Sequence, residues 1–316
     1  MKNPLSVESS PHLKHNETTR GIMLDVIIAL LPAAVYGCII FGLRAAAVLF
    51  CTVASAVLSE YLWNKILKKP TTIGDLSAVV TGLLLGMNLT SEVPLWIAAL
   101  GGVVAIIVVK GMFGGIGCNF ANPAIAARIV LLVSFPAAMS KYIKPVLHTV
   151  SSATPLASLD TSLQRAEITF KDMFFGKHSG AIGETCSFLL IIGGLYLISR
   201  RVITPTVPLS FIGSVALLSF IFGDDLTIAV FGGGLMLGAV FMATDYTTSP
   251  TTEWGKLVFG IGCGVITFVI RHFASLPEGV SYAILLMNIL TPYINRVTRR
   301  KPFGFVAPAK EGKANG

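Results

Sequence analysis

About ten apolar stretches follow one another along this chain, each close to the length that crosses a lipid bilayer. A helix needs about 20 mostly apolar residues to cross the hydrocarbon core. Only 13% of the residues are charged, against about 25% in an ordinary soluble domain, which excludes a water-soluble enzyme. We therefore predict an all-α, polytopic membrane protein. Its predicted spans lie at roughly 21–42, 44–64, 74–90, 93–110, 123–139, 181–199, 207–222, 226–243, 256–275 and 280–295.

The basic side chains predict how the chain is oriented in the membrane. The net charge is +8, and most of the 24 Lys and Arg residues fall in segments that share one side with both termini. By the positive-inside rule this side is the cytoplasm. The basic balance therefore reflects topology, and no nucleic-acid partner is expected. The polar N-terminus has no small-residue cleavage site, so we expect a cytoplasmic tail and not a signal peptide.

The longest polar interruption divides the predicted spans into two halves of five helices. Such a division is typical of transporter folds built from two repeats, whose sites lie where helices are broken. The predicted regions are an N-terminal cytoplasmic tail at 1–20, a first half at 21–139, an outer loop at 140–180, a second half at 181–296 and a C-terminal cytoplasmic tail at 297–316.

Two runs that contain Gly or Pro end spans in irregular sequence, GMFGGIGCNFANPA at 111–124 and GAVFMATDYTTSP at 238–250. Non-helical backbone survives at membrane depth only against protein, ligand or a hydrated cavity, so we predict broken or re-entrant segments here. Both runs are predicted on the cytoplasmic side, which does not match an inverted repeat. They are interpreted either as tight turns between packed helices or as a seat for a flat cofactor or an ion path. The candidate lining residues are Gly114, Gly115, Asn119, Asn122 and Asp245.

Acidic residues within or beside spans are candidates for an ion path, because a charge inside a membrane is costly. The candidates are Asp25, Glu60, Asp75 and Asp245. The alternative interpretation is that Asp25 is a first-turn acid in a favourable helix-dipole position. Glu60 and Asp75 are then caps or partners of nearby lysines, which are Lys65, Lys68 and Lys69.

Two further charges lie near predicted outer boundaries. Glu184 lies near the start of the sixth span, and Arg271 lies near the end of the ninth. Charged groups at span ends are inexpensive because they reach the interface. We therefore interpret Arg271, with His272 beside it, as an interface anchor.

The cysteines predict no metal centre held by this chain alone. The five residues are scattered singly, with no Cys-x-x-Cys pair and no His at ligand spacing. We expect them to be small buried hydrophobic side chains. They are Cys38, Cys51, Cys118, Cys186 and Cys263, of which Cys118 falls in an irregular run.

One polar string, SSATPL at 151–156, gains meaning from its context. Alone, Ser or Thr before Pro is typical of a turn or helix N-cap. Here it follows the fifth span in a chain that also carries GDLSAVVTGLLLGMNL at 74–89, FANPA at 120–124 and MATDYTTSP at 242–250. The combination covers nearly the whole chain. It resembles the family of D subunits of the Rnf ferredoxin:NAD oxidoreductase complex and, more distantly, the B subunit of the sodium-pumping NADH:quinone oxidoreductase.

The resemblance implies a covalent flavin on the outer loop. In that family a flavin transferase esterifies the hydroxyl of the last Thr of a Ser-x-Ala-Thr motif to the phosphate of FMN. That residue is Thr154 here, preceded by Ser151, Ser152 and Ala153. The sequence departs from the wider motif at His148, where an acidic residue is common. The family also implies a second flavin, riboflavin, bound without a covalent bond.

The function implied by the resemblance is a flavin-carrying subunit of a redox-driven Na+ or H+ pump in a prokaryotic cell membrane. The implied partners are the other Rnf subunits, including a second flavinylated subunit and iron–sulfur subunits. Two alternatives remain open. One is a urea- or ammonium-type channel or a secondary transporter, since the two-half plan is similar. The other is a structural scaffold. Small-residue pairs such as Gly260-x-x-x-Gly264 fit packing against other subunits under each of these functions.

Overall fold

The computed structural model describes residues 18–142, 170–176, 178–184, 186–274 and 279–299, and the regular structure of these residues is entirely helical. The prediction of an all-α polytopic fold is confirmed. The helices, numbered α1 to α13 in chain order, are Thr19–Phe41, Leu43–Ile66, Ser77–Met87, Leu95–Val103, Pro123–Ser134, Pro136–Met139, Phe170–Phe175, Ser187–Ser199, Thr206–Phe222, Leu226–Phe231, Leu235–Leu237, Glu253–Phe273 and Gly279–Thr298.

Among the described residues, three helices, α1, α2 and α12, have the length and composition needed to cross a membrane. Helix α1 begins where the Thr18 side chain accepts a hydrogen bond from the Gly21 backbone N–H at 3.2 Å. It ends at Gly42, whose φ of 77° allows the chain to turn directly into α2. The two predicted spans at 21–42 and 44–64 therefore correspond closely to these helices.

Helices α3 and α5 are shorter than their predicted spans. They contain 11 and 12 residues, or about 16–18 Å of helix. Backbone carbonyls at the C-terminal end of α3 accept hydrogen bonds from a non-helical segment of the second half. The Ile182 N–H donates to the Leu89 carbonyl at 3.0 Å, and the Gly183 N–H donates to the Met87 carbonyl at 2.7 Å. The predicted span at 181–199 thus becomes helical only at Ser187, because its first residues satisfy these backbone groups.

The predicted span at 226–243 is broken in the middle. Helix α10 ends at Phe231, and the next helix follows Gly233 and Gly234, whose φ angles are 59° and 68°. The buried Arg271 guanidinium donates to the carbonyls of Ala229 at 2.8 Å, Gly232 at 3.1 Å and Gly233 at 2.9 Å. The interpretation of Arg271 as an interface anchor is therefore wrong. Its charge caps the carbonyl end of a broken helix.

The two irregular runs share a further feature, because each is entered through a π-helix. Helix α4 continues as a π-helix over Val104–Gly111, and α11 continues as one over Gly238–Met242. Such segments are frequent at functional sites. The likeness between the runs thus extends to the backbone that leads into them.

Small residues bring helices of this chain close together. Gly260 and Gly264 of α12 lie against Ser210 and Ser214 of α9, where an added Cβ would meet the serine side chain. The expectation that this pair packs against another subunit is therefore wrong, since its face is covered within the chain. The absence of Cβ atoms allows the two backbones to approach.

Candidate functional site

The two irregular runs meet around one cavity, which we call the loop cavity. Its empty volume, including the part open to solvent, is about 770 Å³. Helices α1 and α3 form its apolar wall, with side chains such as Val26 and Leu84. The lining residues from the two runs include Ile116, Asn119, Asn122, Thr244, Asp245 and Thr247. The structure thus brings together three of the predicted lining residues from runs more than 100 positions apart.

Asn122 and Asn119 differ in how their side chains are used. Asn122 is the N-cap of α5 and accepts from the Ala124 N–H at 3.0 Å, while its amide donates to the Met242 carbonyl at 3.3 Å. It therefore joins the two runs. The side-chain oxygen of Asn119 is buried and has no hydrogen-bond partner. A buried acceptor of this kind is available to a ligand or to water.

Gly114 and Gly115 line a second space, which we call the polar cavity. Their φ angles of 115° and 101° lie in the region that favours glycine. The empty volume of this cavity is about 850 Å³. Its other lining residues include Glu60, Asn64, Thr72, Asp75 and Lys110. The four predicted second-flavin candidates are therefore divided between two neighbouring cavities.

Glu60 forms a buried ion pair in the wall of the polar cavity. Its Oε1 accepts from the Lys110 Nζ at 2.7 Å and from the Thr72 hydroxyl at 2.7 Å. The side chains of Lys110 and Glu60 are only 4% and 5% exposed. The other carboxylate oxygen, Oε2, is buried without a hydrogen-bond partner.

The lysines predicted to pair with Glu60 are the wrong ones. None of Lys65, Lys68 and Lys69 forms the ion pair, which involves Lys110 at the end of the π-helix. From the span pattern alone Lys110 belongs to the cytoplasmic surface. The available signal for its burial was its position directly after an apolar run and before a Gly-rich loop.

Asp75 is a helix cap, as the alternative interpretation has it, but the interpretation of Asp25 as a first-turn acid is wrong, because α1 begins at Thr19 and has no acidic residue in its first turn. Asp75 Oδ1 accepts from the Ser77 N–H at 3.0 Å and from its hydroxyl at 2.6 Å, at the start of α3. Asp25 accepts from the Tyr196 hydroxyl at 2.9 Å and from Arg200 Nε at 3.3 Å. Asp75 also lines the polar cavity. Asp25 is a partner of an exposed helix end.

Asp245 lies in the second run, after the π-helix, and faces the loop cavity. It accepts from the Thr247 N–H at 3.2 Å and from the Thr247 hydroxyl at 3.0 Å. Burial raises the pKa of Asp245 above its ordinary value, although the bonds from Thr247 and Thr248 act in the opposite direction. Its carboxylate is therefore oriented by its own loop.

A second group of buried charges connects the two halves. Glu184 Oε1 lies 3.6 Å from Arg128 Nη2. Arg128 also donates to Asn88 Oδ1 at 2.9 Å and to the Ser281 hydroxyl at 3.0 Å. The span pattern places Arg128 near the cytoplasmic end of the span at 123–139 and Glu184 near the outer boundary. Both side chains are buried inside the bundle instead.

The predicted flavinylation residues lie outside the described residues. These are Ser151, Ser152, Ala153 and Thr154.

The cysteines follow the expectation of burial only in part. Cys186 and Cys263 are buried, Cys38 and Cys51 are partly buried, and Cys118 is exposed because its Gly-rich loop lies at the surface. Within the described ranges, no group of three or more His, Cys, Asp or Glu residues has the arrangement needed to hold a metal ion.

Comparison with known proteins gives a consistent result over nearly the full length. A sequence model of the family described as NQR2, RnfD, RnfE matches residues 6–304. The chain is 46% identical over 314 residues to the D subunit of the Na(+)-translocating ferredoxin:NAD(+) oxidoreductase complex of Acetobacterium woodii, with 98% of each chain covered. It is 40% identical to the D subunit of the proton-translocating ferredoxin:NAD(+) oxidoreductase complex of Clostridium ljungdahlii, covering 96% of this chain and 97% of that one.

Proposed function

The chain belongs to the NQR2, RnfD, RnfE family, and from that premise we propose that it is the D subunit of an ion-translocating ferredoxin:NAD oxidoreductase complex. The observation that carries this proposal is the 46% identity to one such subunit over 98% of both chains. Its partners are then the other membrane and peripheral subunits, including a second flavinylated subunit and iron–sulfur subunits. It resides in the cell membrane, with both termini in the cytoplasm and the Thr154 loop outside.

In this proposal FMN is attached covalently to Thr154 by a flavin transferase. The support is the SSATPL string in a loop that the positive-inside rule assigns to the outside. Small residues at Ser151, Ser152 and Ala153 suit a segment that must enter the transferase. When bound, a flavin accepts electrons in pairs and passes them singly, which is chemistry that the side chains of this protein lack.

We place the second flavin, riboflavin, at the loop cavity. Its apolar wall from α1 and α3 suits a flat ring system, and the two runs supply polar groups at the other side. The buried Asn119 oxygen has no partner and is available to accept from a ring N–H. Asn122 would hold the two runs together around the ligand.

The ion path of the proposal uses Glu60 and Asp245. Each carboxylate faces one of the two cavities, whereas Asp25 is paired at an exposed helix end. The cargo is a monovalent cation. The names of the relatives include both sodium and proton translocation, and the same carboxylates serve either.

The deciding experiment is in-gel flavin fluorescence of the denatured protein, expressed in a host that contains the transferase. We expect the parental protein to fluoresce and Thr154→Ala to lose the signal completely. Thr161→Ala, in the same loop, is the matched control and keeps the signal. Fluorescence of Thr154→Ala at the parental level would refute the covalent assignment, and a parental protein without flavin would favour the channel alternative.

A further inference from the structure

Lys110 lies between the two cavities and is bonded to a wall residue of each. Its Nζ donates to Glu60 Oε1 at 2.7 Å and to the Ser77 hydroxyl at 2.6 Å. Ser77 lines the loop cavity, Glu60 lines the polar cavity, and Lys110 lines both. A single ammonium group therefore connects the two spaces.

The Glu60 carboxylate is only partly satisfied by this arrangement. Thr72 orients it through a hydroxyl bond, and the Asn64 amide donates to Thr72 in turn at 2.9 Å. Yet Oε2 is buried without a partner. A buried acceptor in this state pays its desolvation cost with no bond in return. Hard cations prefer oxygen ligands. Glu60 Oε2 is an oxygen ligand that is not yet used by another group.

We propose that Lys110 is a tethered cation that competes with the transported cation for Glu60, and that it moves toward the loop cavity when the group bound there gains negative charge. The inference rests on the proposed function, because that group is the second flavin. When bound there, a flavin would gain one negative charge if it took up one electron from the electron donor of the complex without a proton. One cation then enters at Glu60 as the ammonium turns away, so the total charge of the two cavities is unchanged.

The side chain and its backbone suit this role. A lysine ammonium is a compact charge on a flexible four-carbon stem, so a small rotation redirects it. Lys110 stands in a π-helix, immediately before Gly111. Ser77 already gives the ammonium a partner at the loop cavity, so the movement leaves it hydrogen-bonded throughout.

The other charges that face the pair are compatible with the exchange. Asp75 lines the polar cavity and accepts from the Ser77 hydroxyl at 2.6 Å, so it stabilises the ammonium on the Ser77 side. Lys69 also lines the polar cavity. Asp245 lines the loop cavity, where it adds to the attraction for Lys110. In the interior these interactions are stronger than in water.

The test is equilibrium binding of radioactive Na+ to the full-length protein in detergent, oxidised and after reduction with dithionite. We use a Thr154→Ala background so that the covalent flavin does not contribute. We expect reduction to tighten Na+ binding about tenfold, within the usual range of coupling between two sites. Lys110→Met should bind Na+ about tenfold more tightly than the parental protein when oxidised and should not respond to reduction, by the same coupling. Glu60→Gln should not bind, and the exposed Lys65→Met is the control that behaves as the parent.

If the cargo is a proton, the same exchange is measured as proton uptake on reduction, with a pH indicator in sodium-free buffer. Uptake should be present in the parent and absent in Lys110→Met and Glu60→Gln. If Lys110→Met does not fold, Lys110→Gln removes the charge but keeps a donor for Glu60. A neutral Lys110 variant that keeps the full redox dependence of the parent overturns the inference.

The failure of the proposed function is recognised separately. Bleaching of oxidised flavin absorbance in the same samples reports whether a flavin occupies the protein at all. If no flavin is bound, the oxidised and reduced samples cannot be compared, but the oxidised parent and the oxidised Lys110→Met are still expected to differ in cation affinity. Equal cation affinity and equal proton uptake in these two proteins overturn the role of Lys110, whether or not a flavin is bound.

Discussion

The Glu60–Lys110 pair and the Glu184–Arg128 group are both buried charges within the helix bundle, but they are built differently. Arg128 is held by Glu184, Asn88 and Ser281, which come from three different parts of the chain. Glu60 instead lines an open polar space and keeps one oxygen without a partner. Burial of an ion pair is therefore not by itself a sign of function. What distinguishes the two is whether the carboxylate has unused capacity next to a cavity.

The largest effect on stability is expected from Glu184→Gln. Removing one partner of a buried ion pair leaves the other charge uncompensated and costs about 3–5 kcal/mol. We expect a clear loss of thermal stability of the purified protein, measured by tryptophan fluorescence or size-exclusion after heating. If the melting temperature is unchanged, the Arg128 group does not hold the halves together.

Glu60→Gln should separate transport from folding. We expect ion transport by the complex in inverted vesicles to be lost while covalent flavin fluorescence stays at the parental level. The amide still accepts from Lys110 and Thr72, and Asp75, bonded to the same Ser77 hydroxyl as Lys110, keeps a negative charge near the ammonium. Destabilisation should therefore be smaller than for Glu184→Gln. Transport at the parental rate would show that the spare oxygen of Glu60 has no role in cation movement.

Asn122→Ala tests the join between the two runs at the loop cavity. Loss of an N-cap costs about 1 kcal/mol, and the bond to the Met242 carbonyl is lost with it. We expect a modest fall in melting temperature together with a lower content of non-covalent flavin after purification. Asn295→Ala, which removes a bond outside both cavities, is the control, and equal flavin content in both variants would contradict the proposed role.

Asp25→Asn should have the smallest effect. Its partner Arg200 is 59% exposed, and surface ion pairs contribute about 0–1 kcal/mol. We expect transport, flavin content and melting temperature close to those of the parent. A transport defect as large as that of Glu60→Gln would place Asp25 on the ion path after all.

The parts of the fold that could be predicted are those that depend on a continuous run of apolar residues. The spans at 21–42 and 44–64 match α1 and α2 within a few residues, because long apolar runs form helices in a membrane whatever surrounds them. The break at Gly232, Gly233 and Gly234 was not predicted in place. Glycines are common in membrane helices, so their presence does not predict a break. The break is stabilised by the Arg271 side chain, which lies at least 38 positions away in the sequence.

The sequence by itself determined the membrane environment, the helical class, the two irregular runs and the acids worth testing, because each depends on composition or on neighbours along the chain. Only the tertiary structure decided which of those acids are paired and with what. Glu60 meets Lys110 from 50 positions away, and Asn122 meets the second run from 120 positions away. Such contacts arise when helices pack, so the partner of a buried charge is set by the packing and is not written in the local sequence.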